Sequence, residues 1–272
     1  MGIRIMLTNM SEDPGPVFGG MLQRCFDKVT FPDTTLEIRS NKPGLMYLND
    51  AAYRYERALH QCSYLELCLQ AQQDGFDAVV STCSLDAGMW EAREIVDIPV
   101  LTCGETALYY GGLMGATFGV VTLKEQGVIN SWREIVAGSG LKEKAITNNP
   151  VRGISVNAWD AEKSLMEDPS IVVRACEETA RELVRDGAEV IIIGCGLYGP
   201  MCTDAGFTNI DGVVPVVDPV TMSFKLAENW AIFERNLKMP YLSRVGRHQR
   251  IPDEDAQRMR KHFGVDKMSS SE

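Results

Sequence analysis

Two cysteines stand in the same local setting. Asp74-Gly75-Phe76-Asp77-Ala78-Val79-Val80-Ser81-Thr82-Cys83 and Asp186-Gly187-Ala188-Glu189-Val190-Ile191-Ile192-Ile193-Gly194-Cys195 each run from a glycine through an acidic residue and a β-branched stretch to a thiol, eight positions after the glycine. A thiol at the carboxyl end of a buried parallel strand sits at the crevice where open α/β sheets bind ligands. A thiolate acts as nucleophile, metal ligand or base. The histidines are His60, His248 and His262, and none lies near either motif, which leaves a Cys–His dyad and a zinc site with little support. The remaining use is acid–base work at carbon. One of Cys83 and Cys195 takes a proton from a stereocentre beside a carbonyl, and the other returns a proton from the opposite face. Helices starting after the two strands are expected to lower the thiol pKa from its usual value of about 8.5. Their N–H groups would also hold the enolate oxygen. Cys25, Cys62, Cys68, Cys103, Cys176 and Cys202 read as buried small hydrophobes instead.

Positioning two such thiols requires two strand–helix units. Ile3 to Leu7 reads as a strand, Thr8 to Ser11 as a polar turn, Val17 to Lys28 as a helix and Thr34 to Arg39 as a second strand. Asn41-Lys42-Pro43-Gly44 reads as a turn, and Leu45 to Leu48 as a segment draped over the site. A long helix over Asp50 to Gln73 precedes a strand over Ala78 to Thr82. A helix over Asp86 to Val96 and a strand over Pro99 to Thr102 follow, and another helix opens at Gly104. The alternation restarts with a strand over Thr117 to Thr122 and a helix over Lys124 to Ala137. Then come strands over Val151 to Val156, Glu189 to Gly194 and Val213 to Val217, with helices over Pro169 to Arg185 and Val220 to Asn236. The two halves match in order, an internal duplication of α/β units with parallel sheets. The stretch 237–272 is polar, with one helix expected over Pro252 to His262 and a frayed end at Met268 to Glu272.

Composition narrows the partners. The 272 residues are 45% hydrophobic and carry a net charge of −10, which argues against a nucleic-acid partner. No apolar run reaches the roughly 18 residues that span a bilayer, and the N-terminus lacks the pattern of a signal peptide. A cytoplasmic protein with reduced thiols, no membrane partner and a small-molecule substrate is the expectation.

The segments Asp77 to Gly88 with its Cys-x-x-Asp-x-Gly shape, Ala92 to Val100, Gly104-Glu105-Thr106-Ala107, Phe118 to Leu123, Gly194-Cys195-Gly196, Val214 to Asp218 and Lys225 to Glu228 together carry a resemblance. In this order they are similar to the aspartate/glutamate/hydantoin racemase superfamily, and closest to its hydantoin and allantoin racemase branch. The resemblance implies two pseudo-symmetric Rossmann-like domains, 1–112 and 113–219, each with a mainly parallel sheet flanked by helices. It implies an active site in the cleft between them, a catalytic cysteine from each, no metal and no cofactor, and a homo-oligomer. Residues 220–272 would return to complete the first domain, with 237–272 as a polar extension.

The resemblance also places Asn9 and Ser11 in a substrate-contacting loop, although the family's Asn-Pro-Asn-Thr-like run is here Thr8-Asn9-Met10-Ser11, without proline. Ser84 and Leu85, with Gly196 and Leu197, would supply backbone N–H groups beside the cysteines, and Thr122 a hydroxyl donor. Amino-acid racemases of this kind usually carry Asn or Thr after each cysteine. Ser84 and Gly196 favour a neutral ring instead. Met46 and Tyr47, with Tyr198 and Met201, either shape a pocket for a bulky substituent or pack over a core edge. Asp86, Glu105 and Asp218 read as helix caps. The function expected is a cofactor-independent two-cysteine racemase or epimerase of a 5-substituted hydantoin or related cyclic ureide. Two alternatives stay open: a cysteine-dependent isomerase or decarboxylase of a small dicarboxylate, and a non-catalytic two-lobed binding protein.

Overall fold

The computed structural model describes residues 2–265. The first half builds β1 (Arg4–Ser11), α1 (Gly15–Asp27), β2 (Thr35–Leu45), α2 (Arg54–Gln73), β3 (Ala78–Ser81), α3 (Met89–Ile95), β4 (Val100–Thr102) and α4 (Cys103–Met114). Its strands pair in parallel in the order β2-β1-β3-β4. The second half builds β5 (Phe118–Thr122), α5 (Gln126–Gly138), β6 (Val151–Gly153), α6 (Ala158–Glu167), α7 (Ser170–Arg185), β7 (Val190–Ile193), α8 (Tyr198–Asp204), β8 (Asn209–Ile210) and β9 (Val214–Val217). Its order is β6-β5-β7-β9, again parallel, with β8 antiparallel at the edge. The same strand order therefore occurs twice, and the fold is α/β with parallel sheets flanked by helices. β3 and β7 each lie where the strand order reverses, the switch point at which such sheets open a crevice.

The duplication reaches single hydrogen bonds. α2 and α7 both end in a left-handed glycine, Gly75 at φ +73° and Gly187 at φ +99°. The N–H of Phe76 donates to the Ala71 carbonyl and that of Gly75 to Gln72, and Ala188 and Gly187 do the same to Leu183 and Val184. Both closures are Schellman motifs, which turn the chain sharply into the next strand. That strand is buried at every position in both cases, because helices cover both faces of each sheet. α7 shows how the cover is written in sequence: Val172, Ala175, Cys176, Thr179, Ala180 and Leu183 recur at helical spacing and are all buried.

One apolar core runs from Ile5, Leu22 and Phe26 of the first half to Val120, Ile192 and Phe224, so the two sheets share packing. A separate cluster of Met6, Tyr64, Phe76, Val79, Val96 and Val100 fills the outer face of the first sheet. After β9 the chain enters α9 (Pro219–Leu237), which packs on α4 and β3 of the first half. Asp218 opens α9 by accepting the N–H groups of Val220 (2.9 Å) and Thr221 (3.3 Å), the capping role expected of it. The tail then crosses α3. The Arg244 guanidinium donates to the Arg93 and Val96 carbonyls, and the Ile251 N–H to the Glu94 carbonyl. In α10 (Asp253–Phe263), Arg260 pairs with Glu66 of α2. The expected frayed end, Met268 to Glu272, lies outside the described residues.

Several expected boundaries move. Thr8 to Ser11 is not a turn but the end of β1, and Asn41 to Gly44 lies inside β2. The register jumps from Asn9 opposite Ser40 to Ser11 opposite Leu45, so Pro43 and Gly44 mark a bulge, not a reversal. A Cβ on Gly44 would meet the Met10 oxygen and the Glu12 nitrogen at 2.7 Å, which only glycine avoids. The expected helix from Asp50 begins as a separate helical turn, Leu48–Ala52, and Tyr53 is extended before α2. Asp86 (φ 54°) and Gly88 (φ 77°) are left-handed, which delays α3 to Met89. The helices α6 and α8 and the strand β8 are additions to the elements expected.

Candidate active site

Cys83 follows β3 and Cys195 follows β7, and both line one cavity of ≈ 410 Å³. That volume is ordinary for a small-molecule site, about 300–1,000 Å³. The thiols are nearly sealed, at 2% and 4% exposure, whereas Met46 at the mouth is 73% exposed. Of the residues singled out from the sequence as substrate contacts, Asn9, Ser11, Met46, Ser84, Leu85, Gly196 and Leu197 line the cavity. Thr122 and Tyr47 do not. Thr122 is fully buried behind the Cys195 loop, and Tyr47 faces outward against the Trp159 ring, 5.7 Å between centroids. Tyr198 and Met201 are core residues rather than pocket wall. No histidine lines the cavity among the described residues, and none of their His, Cys, Asp and Glu side chains converge in threes as metal ligands.

The two thiol loops are built alike. The Cys83 sulfur receives main-chain N–H groups from Leu85 and Ala87, and the Cys195 sulfur from Leu197 and Tyr198. These donors favour the thiolate, but burial outweighs them. It raises both thiols, Cys195 to about 12. The expected depression by helix ends is thus overturned, because nearly complete desolvation costs the anion more than a few N–H groups return. The two sites also differ. Two opposed charges act on Cys83: Asp86 raises its pKa, and Arg57 of α2, itself 9% exposed, lowers it while its guanidinium donates to the Ser131 hydroxyl at 2.9 Å. The charged groups acting on Cys195 are other thiols, which raise it. Asp86, three residues after Cys83, is pushed up to about 7 by desolvation and accepts the Gly104 N–H at 2.8 Å, holding the start of α4.

The loops also hold each other. The Gly194 carbonyl accepts from the Ser84 hydroxyl (3.0 Å), the Thr122 hydroxyl (2.7 Å) and the Trp132 indole N–H (2.8 Å). Ser84 thus reaches from beside one cysteine to the residue before the other. A Cβ on Gly196 would fall 1.9 Å from the Thr82 oxygen, so the two loops are in main-chain contact there. Asn9 is 3% exposed, and its amide donates to the hydroxyls of Ser11 (2.7 Å) and Ser40 (3.4 Å), fixing the end of β1 over the cavity floor.

Sequence reasoning missed Glu12, Asp13, Phe18, Val128, Glu162 and Leu165 in the wall, and Arg57 and Trp132 behind it. Glu162 and Leu165 come from α6, whose start did carry a signal. The Asn157 side chain accepts the Asp160 N–H at 2.8 Å, a cap three residues ahead of an acidic position. Arg57 and Trp132 gave no local signal, since their roles depend on which helix lands behind which loop.

The profile of the Asp/Glu/hydantoin racemase family matches residues 20–227, most of the chain. The chain belongs to this family. Curated relatives include a hydantoin racemase from Pseudomonas sp. (strain NS671), 27% identical over 175 residues. That stretch is 64% of this chain and 66% of the relative. Another is the hydantoin racemase of Paenarthrobacter aurescens, 28% identical over 158 residues, 56% of this chain and 61% of the relative. The matched stretch spans less than two thirds of each relative's length. Among solved structures, the allantoin racemase from Klebsiella pneumoniae superposes with a TM-score of 0.73 at 20% identity, covering 92% of this chain and 94% of that one. The allantoin racemase from Pseudomonas fluorescens gives 0.73 at 22% identity, covering 92% and 97%. At these identities the superpositions establish the shared two-domain Rossmann-like fold. No helix of the described residues is long and apolar enough to cross a membrane.

Proposed function

We propose that the chain is a cofactor-independent racemase or epimerase of 5-substituted hydantoins or related cyclic ureides, with Cys83 and Cys195 as the two bases. The observation that carries this reading is the placing of two thiols, each at the end of a matched strand with matched N–H donors, on the wall of one cavity. A thiolate removes the ring proton on one face, leaving an enolate delocalised into the adjacent carbonyl. The second thiol gives its proton to the opposite face, so the substrate inverts and the two sulfurs exchange protonation. A desolvated thiolate with a raised pKa is a stronger base toward a carbon acid than an ordinary one. Arg57 favours the Cys83 thiolate, and Asp86 opposes it.

The cavity wall holds no Lys, Arg or His among the described residues and does hold Glu12, Asp13 and Glu162. An α-carboxylate or a dicarboxylate would meet three carboxylates and no cationic side chain in this wall, so a neutral ring fits better than a free amino acid or the dicarboxylate alternatives. The test is solvent deuterium incorporation into single enantiomers of 5-substituted hydantoins by wild type, Cys83→Ser and Cys195→Ser, read by NMR and chiral chromatography. The expected outcome is exchange with inversion in wild type and loss of racemisation in both variants. Binding without exchange at carbon would instead mark a non-catalytic binding protein, and no exchange with any hydantoin would sink the racemase reading.

A further inference from the structure

The cavity is graded from floor to mouth. The reactive thiols form its sealed floor. Phe18, Leu48, Val128 and Leu165 contribute an apolar wall, and the charged residues of the lining are three carboxylates, Glu12, Asp13 and Glu162. Glu12 and Asp13 are exposed and Glu162 is half-buried, which places them toward the open side. Each is held by one main-chain N–H: Gly44 to Glu12 Oε1 (3.4 Å), Gly15 to Asp13 Oδ1 (2.7 Å) and Leu48 to Glu162 Oε2 (3.2 Å). The loops are thereby fixed while further lone pairs on each carboxylate stay available. None of the three forms an ion pair among the described residues, so their charge is not neutralised from within. Three like charges among the lining residues, with no cation in the wall among the described residues, raise the local concentration of cations and disfavour anions.

We infer that the preferred substrate carries an aliphatic substituent ending in an ammonium or guanidinium cation. The ring lies between Cys83 and Cys195, the methylene stem along the apolar wall, and the cationic head among Glu12, Asp13 and Glu162. This assignment rests on the racemase reading above and names the substrate class within it. It accounts for an apolar wall and an acidic mouth in the same cavity, which a purely aliphatic or aromatic substituent leaves unexplained. The carboxylates act on binding and selection, and the proton transfers stay with the thiols.

The experiment compares three hydantoins of matched side-chain length, carrying an aminobutyl, a pentyl or a carboxypropyl group. kcat/KM for racemisation is followed by circular dichroism, and Kd by calorimetry, at low ionic strength. Wild type is expected to favour aminobutyl over carboxypropyl by at least about tenfold in both measures. Glu162→Gln keeps an acceptor for the Leu48 N–H and lowers the aminobutyl-to-pentyl ratio. Glu12→Lys, at an exposed position, shifts the preference toward carboxypropyl. Equal constants for the three side chains, or an anionic preference in wild type, would overturn the inference. If none is racemised, the racemase reading falls while the Kd series still judges the charge preference. Absence of binding by all three overturns both.

Discussion

Cys83 and Cys195 have the same residue type, the same strand-end position and the same kind of main-chain donors, yet they are not electrostatic equals. Burial raises both, and at Cys83 two charges work in opposite senses, Asp86 raising the pKa and Arg57 lowering it. The sign of the pH dependence follows. A base must be ionised to accept a proton, so a raised thiol pKa makes kcat/KM climb with pH from neutral into the alkaline range. Arg57→Met removes the cation, raises the Cys83 pKa further and moves that rising limb to higher pH. At a fixed pH below the limb, a thiol whose acid constant falls tenfold is ionised about tenfold less. Iodoacetamide labelling mapped by mass spectrometry, alongside the pH–rate profile, checks this: in wild type Cys83 should label at lower pH than Cys195, and Arg57→Met should narrow the difference. An unchanged profile in the variant would reduce Arg57 to a packing role.

At the scale of elements, the thiol loops are placed by contacts between strand ends rather than by either loop alone. The Gly194 carbonyl with its three donors ties β7, β5, α5 and the Cys83 loop to one atom. Thr122→Val removes one donor and leaves two, so a loss of about 1 kcal/mol in urea unfolding is expected, with little change in fold. Gly196→Ala is harsher. The new methyl would sit 1.9 Å from the Thr82 oxygen and must push the two loops apart. A displacement on the order of 1 Å at reacting groups costs about 100-fold in rate, so kcat/KM should fall by that order while far-UV circular dichroism stays native. Retained activity would show that the loops can part without losing their geometry.

The whole molecule is tied together by two returns of the chain. α9 leaves the second sheet and packs on α4 and β3 of the first, beneath the Cys83 strand. The tail then crosses α3 and ends with Arg260 on Glu66, a carboxylate 6% exposed. Arg260→Met leaves Glu66 buried without this cation, and a charge-assisted pair of this kind contributes about 1–3 kcal/mol. Urea unfolding should show that loss, together with faster proteolysis of the tail. A midpoint equal to wild type would mean the tail only rests on α2. The described part of the polar extension is thus a strap over the first half, and it contributes no residue to the cavity wall.

The duplicated frame is written locally in the chain. β-branched runs between a left-handed glycine and a cysteine are local signals, because strand burial and Schellman closure depend on residues a few positions apart. They are legible at Val79-Val80 and Val190-Ile191-Ile192-Ile193, and with them the position of the two thiols at matched strand ends. The end of β1 and the bulge at Pro43-Gly44 are not, since the same residue types serve a reversal and a bulge, and only the neighbouring strand distinguishes them. The environment of the thiols belongs to the folded molecule. Arg57 lies 26 positions before Cys83, and Trp132 lies 62 before Gly194. Glu162 reaches the cavity on a helix from the other half. Desolvation, charge proximity and a shared cavity wall are properties of three-dimensional distance, and no spacing along the chain encodes them.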